Sequence, residues 1–114
     1  MENFSVNTEL RVPTGILQMQ GDLTHAAEKK LSNAFEKATK AGVTSVILDF
    51  TRVEYINSAG MSIIISMLTS AQNSKQEISA CSLSKHFQKI FDMVGLLKYI
   101  RHYATLDDAL TAVI

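Results

Sequence analysis

Short apolar runs typical of strands alternate along this chain with segments whose apolar residues recur at helical spacing. Helical patterns are predicted over residues 24–41, 58–72 and 85–94, and from Thr105 to the end of the chain. The strand-like runs precede and separate them, at residues 4–11, 15–20, 45–50 and 78–83, with a weaker one at 99–103. Alternation of this kind predicts an α/β domain with a largely parallel sheet, because a strand that follows a crossover helix pairs in parallel with the strand before it.

The first helix has the clearest pattern. Its apolar residues fall on one face, and charged residues take the other, as in an amphipathic helix packed on a sheet. Gly42 follows as a stop signal. The apolar face consists of Ala27, Leu31, Ala34, Phe35 and Ala38.

Composition excludes several classes of protein. The 114 residues predict one domain, residues 1–114, and the 46% hydrophobic content can fill a core. Lys plus Arg and Asp plus Glu both number 11, and this balance argues against direct nucleic-acid binding and favours a protein partner. The apolar run 63–65 is too short to span a membrane, and no signal-peptide pattern opens the sequence. A single cysteine, Cys81, excludes an internal disulfide and favours the reducing cytoplasm.

The segment Asn57-Ser58-Ala59-Gly60 stands between the apolar strand 45–50 and an apolar helix. Ser58 is predicted to be the N-cap of that helix, a position that serine and asparagine both favour. The N-terminus of a helix also accommodates negative charge, so a phosphate on Ser58 would change the surface without breaking the fold. The alternative is that Ser58 is only a cap and Asn57 only a turn residue.

Signs of catalysis are absent from the sequence. The three histidines are isolated, and no Cys or His pair has metal-ligand spacing. Neither the Gly-x-Ser-x-Gly elbow of hydrolases nor a Gly-x-x-x-x-Gly-Lys phosphate loop is found. We therefore expect a binding module, with no metal and no cofactor, rather than an enzyme.

Several motifs, taken in order and at their spacing, resemble those of the bacterial anti-sigma factor antagonists, the founding group of STAS domains. The resemblance runs from about residue 15 to residue 114. The motifs are Gly21-Asp22-Leu23, Val46-Ile47-Leu48-Asp49, Ser58-Ala59-Gly60, Ile90-Phe91-Asp92-Met93-Val94-Gly95-Leu96 and the helix start at 105–109.

The resemblance implies a single STAS-like domain, with a four- or five-stranded mixed sheet and about four helices packed mainly on one face. It also implies partner switching. The unmodified protein binds an anti-sigma factor that is a serine kinase of the histidine-kinase ATPase type, phosphorylation of Ser58 ends the interaction, and a serine phosphatase resets it. The protein would act as a monomer. The residues expected to contact the partner are Asp22, Thr24, Asn57, Ala59, Gly60 and Met61.

Three positions depart from the family pattern. Asn57 stands where an aspartate is usual, Thr24 where many members have aspartate, and Ala59 where a second small hydroxyl residue is common. Because Asn57 removes a negative charge beside the acceptor serine, a second function stays open. In that alternative the domain is an unphosphorylated STAS scaffold, or a subunit of a stress-sensing or transport complex.

Overall fold

A mixed sheet forms the centre of the structure, a computed structural model that describes residues 3–113. Five strands lie side by side in chain order within these residues. The first pair is antiparallel and the other three pairs are parallel. The strands are β1 (Phe4–Arg11), β2 (Thr14–Leu23), β3 (Ser45–Ile56), β4 (Glu77–Cys81) and β5 (Arg101–Tyr103).

Four α-helices connect or follow the strands in the described residues. The first three pack on one face of the sheet, which we call the front face, and the last packs on the opposite, back face. This confirms the predicted mixed sheet with helices mainly on one face. The predicted last helix ran to residue 114, which lies outside the described residues. The helices are α1 (Glu28–Lys40), α2 (Ser58–Asn73), α3 (Lys85–Met93) and α4 (Leu106–Ala112).

The main core lies between the sheet and α1–α3. The inward side chains of β3 alternate with outward ones, and Phe50 meets Phe91 of α3 edge to face, with ring centroids 5.6 Å apart. A smaller core on the back face joins Ile16, Ile47 and Cys81 to Ala109 of α4. The single cysteine is thus a buried packing residue, as its apolar strand predicted.

Two strands are longer than predicted. β2 continues to Leu23 and β3 to Ile56, where the sequence suggested ends at 20 and 50. The register shows the reason. β3 has one extra residue opposite β2 between Asp49 and Arg52, and another between Val53 and Tyr55. Each extra residue is a β-bulge, which interrupts the alternation of buried and exposed side chains by which a strand is recognised.

Two other boundaries differ for local reasons. β4 ends at Cys81 rather than at residue 83, because Ser82 has a φ of 63° and turns the chain out of the strand. The predicted helix 24–41 begins as a 3₁₀ turn, His25–Ala27, and becomes α-helical at Glu28. The remaining helices match: Ser84 caps α3 and Thr105 caps α4 through their side-chain oxygens.

Candidate functional site

The junction between β3 and α2 is fixed by Asn57. Its backbone is extended, and its side-chain Oδ1 accepts a hydrogen bond from the backbone N–H of Gly60 at 2.9 Å. Its own N–H donates to the carbonyl oxygen of Leu23, at the end of β2, over 3.3 Å. Asn57, and not Ser58 as predicted, is therefore the N-cap of α2. Both residue types suit a cap, and the hydrogen bonds here select the asparagine.

Ser58 is the first residue of α2 and is exposed. Its carbonyl oxygen accepts a hydrogen bond from Ser62 Oγ, one turn along the helix. No group in residues 3–113 bonds to its hydroxyl or accepts from its backbone N–H or that of Ala59. The hydroxyl thus emerges, as expected, at an exposed strand-to-helix junction. It lies beside two N–H groups that point out of the first turn.

Gly60 and Met61 do not belong to the exposed surface that the sequence predicted. Both are buried. A Cβ added at Gly60 would lie 2.0 Å from the carbonyl oxygen of Leu23. Position 60 lacks a side chain because β2 passes directly against α2, so the glycine serves the fold and leaves no opening for a partner's backbone.

Asp22, Thr24 and Ala59 are all half-buried near this junction. The carboxylate of Asp22 accepts a hydrogen bond from Asn3 Nδ2 at 2.9 Å. Thr24 occupies the cap position of the 3₁₀ turn but makes no capping bond with its side chain. Neither residue therefore caps the first helix through its side chain.

Two apolar side chains extend this surface and were not predicted to do so. Tyr55 is 53% exposed and lies opposite Asp22 in the β2–β3 register. Ile65, on α2, is 43% exposed and follows Ser58 and Ser62 along the outer face of the helix. Helical spacing could have revealed Ile65, since positions 58, 62 and 65 share a face. Tyr55 could not be recognised from the sequence, because the bulges in β3 interrupt the alternation of buried and exposed side chains.

We define the junction surface as the exposed and half-buried residues around the start of α2. It combines hydroxyls, one carboxylate, one amide and two exposed apolar side chains. Its members are Asp22, Thr24, Tyr55, Asn57, Ser58, Ala59, Ser62 and Ile65.

Cys81 and His102, which lie away from this surface, both have shifted pKa values. Burial, together with the negative charge of Asp49 beside it, raises the pKa of the Cys81 thiol to about 12, so the sulfur is not a nucleophile at neutral pH. Burial lowers the pKa of His102, whose Nε2 accepts a hydrogen bond from the N–H of Leu83.

Residues 3–113 contain no group of three or more histidine, cysteine or acidic side chains arranged to hold a metal ion. In the same range, no helix combines the length and apolarity needed to cross a bilayer.

One curated relative of the chain is a Bordetella bronchiseptica protein. BtrV, which carries a provisional assignment as an anti-sigma factor antagonist, is 27% identical over 79 residues. The match covers 69% of this chain and 68% of BtrV.

Solved structures share the fold. The unphosphorylated anti-sigma factor antagonist SpoIIAA superposes with a TM-score of 0.80 at 21% identity, over 96% of each chain. The phosphorylated form of SpoIIAA, a Bacillus cell fate determinant, gives 0.77 at 20% identity, covering 96% of this chain and 100% of SpoIIAA. A sulfate transporter family protein from Wolinella succinogenes gives 0.80 at 16% identity, covering 91% of this chain and 87% of that one.

The family model for the STAS domain matches residues 5–109, which include all of β1 except Phe4, the other described strands and the first half of α4. The family match by sequence and the shared fold of the solved structures therefore agree. This chain belongs to the STAS domain family.

Proposed function

We propose that this protein is an anti-sigma factor antagonist controlled by phosphorylation of Ser58. The observation that carries the proposal is the exposed, unbonded hydroxyl of Ser58 at the first position of α2. The unmodified protein binds an anti-sigma factor, a serine kinase of the histidine-kinase ATPase type, through the junction surface. Phosphorylation releases it, and a serine phosphatase restores it. The likeness to BtrV supports this assignment. The protein would then act as a monomer in the cytoplasm, where sigma factors work.

The start of α2 suits a phosphate. A phosphoserine carries about −1.5 to −2 charges at neutral pH. The N–H groups of Ser58 and Ala59 have no acceptor within the described residues, and the helix dipole is positive at this end. The phosphorylated protein should therefore remain folded, and the modification should act on the partner and not on the domain.

The junction surface suits a protein partner because it includes two exposed apolar side chains as well as the modified residue. Tyr55 and Ile65 each expose close to half of their surface. Aromatic anchors often carry much of the binding energy of an interface, within a polar rim. A phosphate introduced into such an interface must be paired or hydrated in the complex. An unpaired buried charge costs several kcal/mol, and about 1.4 kcal/mol already lowers affinity tenfold.

The role is one of binding and not of catalysis. No acid, base and nucleophile converge on the junction surface, whose ionisable groups are Asp22 and the phenol of Tyr55. The thiol of Cys81 is buried on the other side of β3 and β4 and has a raised pKa. Phosphoryl transfer to Ser58 therefore depends on the kinase for its catalytic groups.

A second candidate is a STAS scaffold that is never phosphorylated. Asn57 favours it, since an aspartate before the serine is usual among the antagonists that the sequence resembles. The Wolinella sulfate transporter family protein has the same fold, so the domain also serves in another setting. In this alternative the junction surface binds a partner constitutively.

The test is to incubate the protein with ATP and candidate kinases of the proposed type, then to map phosphate by mass spectrometry. We expect phosphate on Ser58, and none on a Ser58→Ala variant. Ser62→Ala is the matched control, because Ser62 is also exposed and lies one turn further along the same helix face. Absence of phosphate with every cognate kinase would favour the scaffold.

A binding measurement separates capture from modification. Ser58→Ala should bind the unmodified protein's partner as wild type does, whereas Ser58→Asp should bind more weakly by about tenfold or more, as expected for a charge desolvated in an interface. Equal affinities of the two variants would contradict the proposed switch, provided that both unfold at the wild-type temperature.

A further inference from the structure

The back face of the sheet is only partly covered. The α4 helix packs over Ile16, Ile47 and Cys81, and leaves the part formed by β1, β2 and the middle of β3 open. A concave cavity of about 520 Å³ lies on this open part. Small-molecule sites typically have volumes of about 300–1,000 Å³. The cavity has the size for a small ligand, and it lies on the side of the sheet opposite α1–α3.

The first bulge in β3 gives the cavity its polar side chains. Gln18 lies opposite Asp49 and Gln20 opposite Arg52, so β3 advances three residues while β2 advances two. Because of the extra residue, Asp49, Thr51 and Arg52 all line the same cavity. Bulges often redirect side chains next to functional sites. A regular strand would have sent Arg52 to the face opposite Asp49.

Asp49 is the unusual member of this group. It is buried, with 7% of its surface exposed, yet it lines the cavity. Thr51 donates two hydrogen bonds, from its backbone N–H at 3.0 Å and its hydroxyl at 2.6 Å, and both go to Oδ1. No lysine, arginine or histidine among residues 3–113 forms an ion pair with it. The Cys81 thiol also lies beside the carboxylate and interacts with it, so the neighbours of Asp49 are neutral hydrogen-bonding groups. Buried carboxylates are generally paired with a cation, and the described residues supply none to Asp49.

Amides complete the cavity wall. Asn7 Nδ2 donates to Gln18 Oε1 at 3.0 Å, which orients the two side chains across β1 and β2. This bond leaves Asn7 Oδ1 and Gln18 Nε2 for other partners, one an acceptor and one a donor. In the sheet, Asn7, Gln18 and Asp49 are successive neighbours across three strands. The wall thus offers an anion and a cation on β3, at Asp49 and Arg52, and oriented amides on the neighbouring strands.

We propose that this cavity binds a small zwitterion of the amino-acid type. Its ammonium group pairs with the carboxylate of Asp49, and its carboxylate pairs with the guanidinium of Arg52. Amide groups of Asn7, Gln18 and Gln20 hydrogen-bond to the rest of the molecule. The opposite charges on one wall match a ligand that carries both signs.

The same cavity fits other small molecules less well. Its lining contains no aromatic side chain on which a nucleobase or a sugar ring could stack. A polyphosphate would meet one arginine and the buried negative charge of Asp49. The site also lies apart from Ser58. The proposal that it binds an amino acid can therefore be tested independently of the proposed phosphorylation.

The test is a titration of the whole protein with each common amino acid at millimolar concentration, followed by thermal unfolding and by NMR chemical shifts of the backbone amides. We expect at least one amino acid to raise the unfolding temperature and to shift resonances around residues 18–20 and 49–52. The corresponding amine without the carboxylate, and the acid without the ammonium, should each bind about tenfold or more weakly, since each loses one charge-assisted contact.

Variants give the deciding comparison. Asp49→Asn and Arg52→Gln should each weaken binding of that amino acid by about tenfold or more. Matched controls are Asp92→Asn and Arg101→Gln, whose side chains are exposed and lie outside the cavity. Arg52 is exposed, so its variant keeps the test valid even if Asp49→Asn unfolds. The proposal fails if no amino acid has any effect, or if Arg52→Gln binds the ligand as tightly as wild type.

Discussion

Gly60 of α2 lies against the carbonyl oxygen of Leu23 at the end of β2, where even a methyl group would be 2.0 Å from that oxygen. The same carbonyl accepts the hydrogen bond from the N–H of Asn57. The end of β2 therefore determines where α2 begins, and through it the position of Ser58. The proposed binding surface around Ser58 therefore gains a fixed geometry from this backbone contact.

Gly60→Ala should destabilise the protein by about 1–3 kcal/mol or more, because the new methyl group meets backbone that cannot rotate away. Urea unfolding measures the change. Gly15→Ala is the matched control, since its Cβ would lie 3.2 Å from a side-chain atom of Val43, which has more freedom to move. Equal losses in the two variants would argue that the approach of β2 to α2 is looser than described.

Asn57→Ala should cost about 1 kcal/mol, the usual cost of losing an N-cap side chain. Asn57→Asp should retain the cap and gain about 0.3–1 kcal/mol from the helix dipole. The urea midpoints of the two variants, compared with Ser84→Ala at the cap of α3, provide the measurement. If Asn57→Ala were as stable as wild type, the bond between Asn57 Oδ1 and Gly60 would not be holding the start of α2.

The elements that were predicted best are those whose pattern is repeated over several turns. The first helix, together with the 3₁₀ turn before it, shows its apolar face over residues 27–38 and ends near the glycine that marks its stop. Adjacent caps cannot be distinguished in the same way. Asn57 and Ser58 are equally good N-caps, and the hydrogen bonds of Asn57 to Gly60 and Leu23 select the first.

It was harder to predict from the sequence which residues form the candidate site. Gly60 and Met61 come two and three residues after the exposed serine, but they lie on the inner side of α2 and both are buried. Tyr55 was not assigned to the surface because bulges in β3 break the period of two. These features depend on how β2 and β3 pair, which no local window of sequence contains.

Cys81 should resist thiol reagents in the folded protein. It is fully buried, and its pKa of about 12 leaves little thiolate at pH 8. Iodoacetamide labelling followed by mass spectrometry should show modification only when urea unfolds the protein. The two unfolding curves, from labelling and from circular dichroism, should then coincide. Rapid labelling without urea would mean that the back-face core under α4 opens readily.

The raised pKa of Cys81 also predicts that the protein loses stability at alkaline pH. Its folded pKa lies above the ordinary value of 9.0, so the unfolded chain releases this proton first as pH rises. The stabilisation that comes from keeping this thiol protonated is complete below pH 9 and is lost as pH rises towards 12. Cys81→Ala should show a weaker dependence of its urea midpoint on pH over that window. An unchanged dependence would indicate that the thiol does not titrate with a raised pKa.

His102 should make stability fall on the acid side. Its pKa in the folded protein is below the ordinary 6.5, because burial disfavours the charged ring and Nε2 must stay unprotonated to accept from Leu83. As pH falls below 6.5, the unfolded chain takes up this proton first, so stability that is present above that pH is lost as pH falls through the folded pKa. Urea midpoints across this range should decline more steeply for wild type than for His102→Gln, whereas His86→Gln, at an exposed histidine, should follow wild type. Parallel curves for wild type and His102→Gln would show that Nε2 of His102 is not the acceptor that joins β5 to the loop before α3.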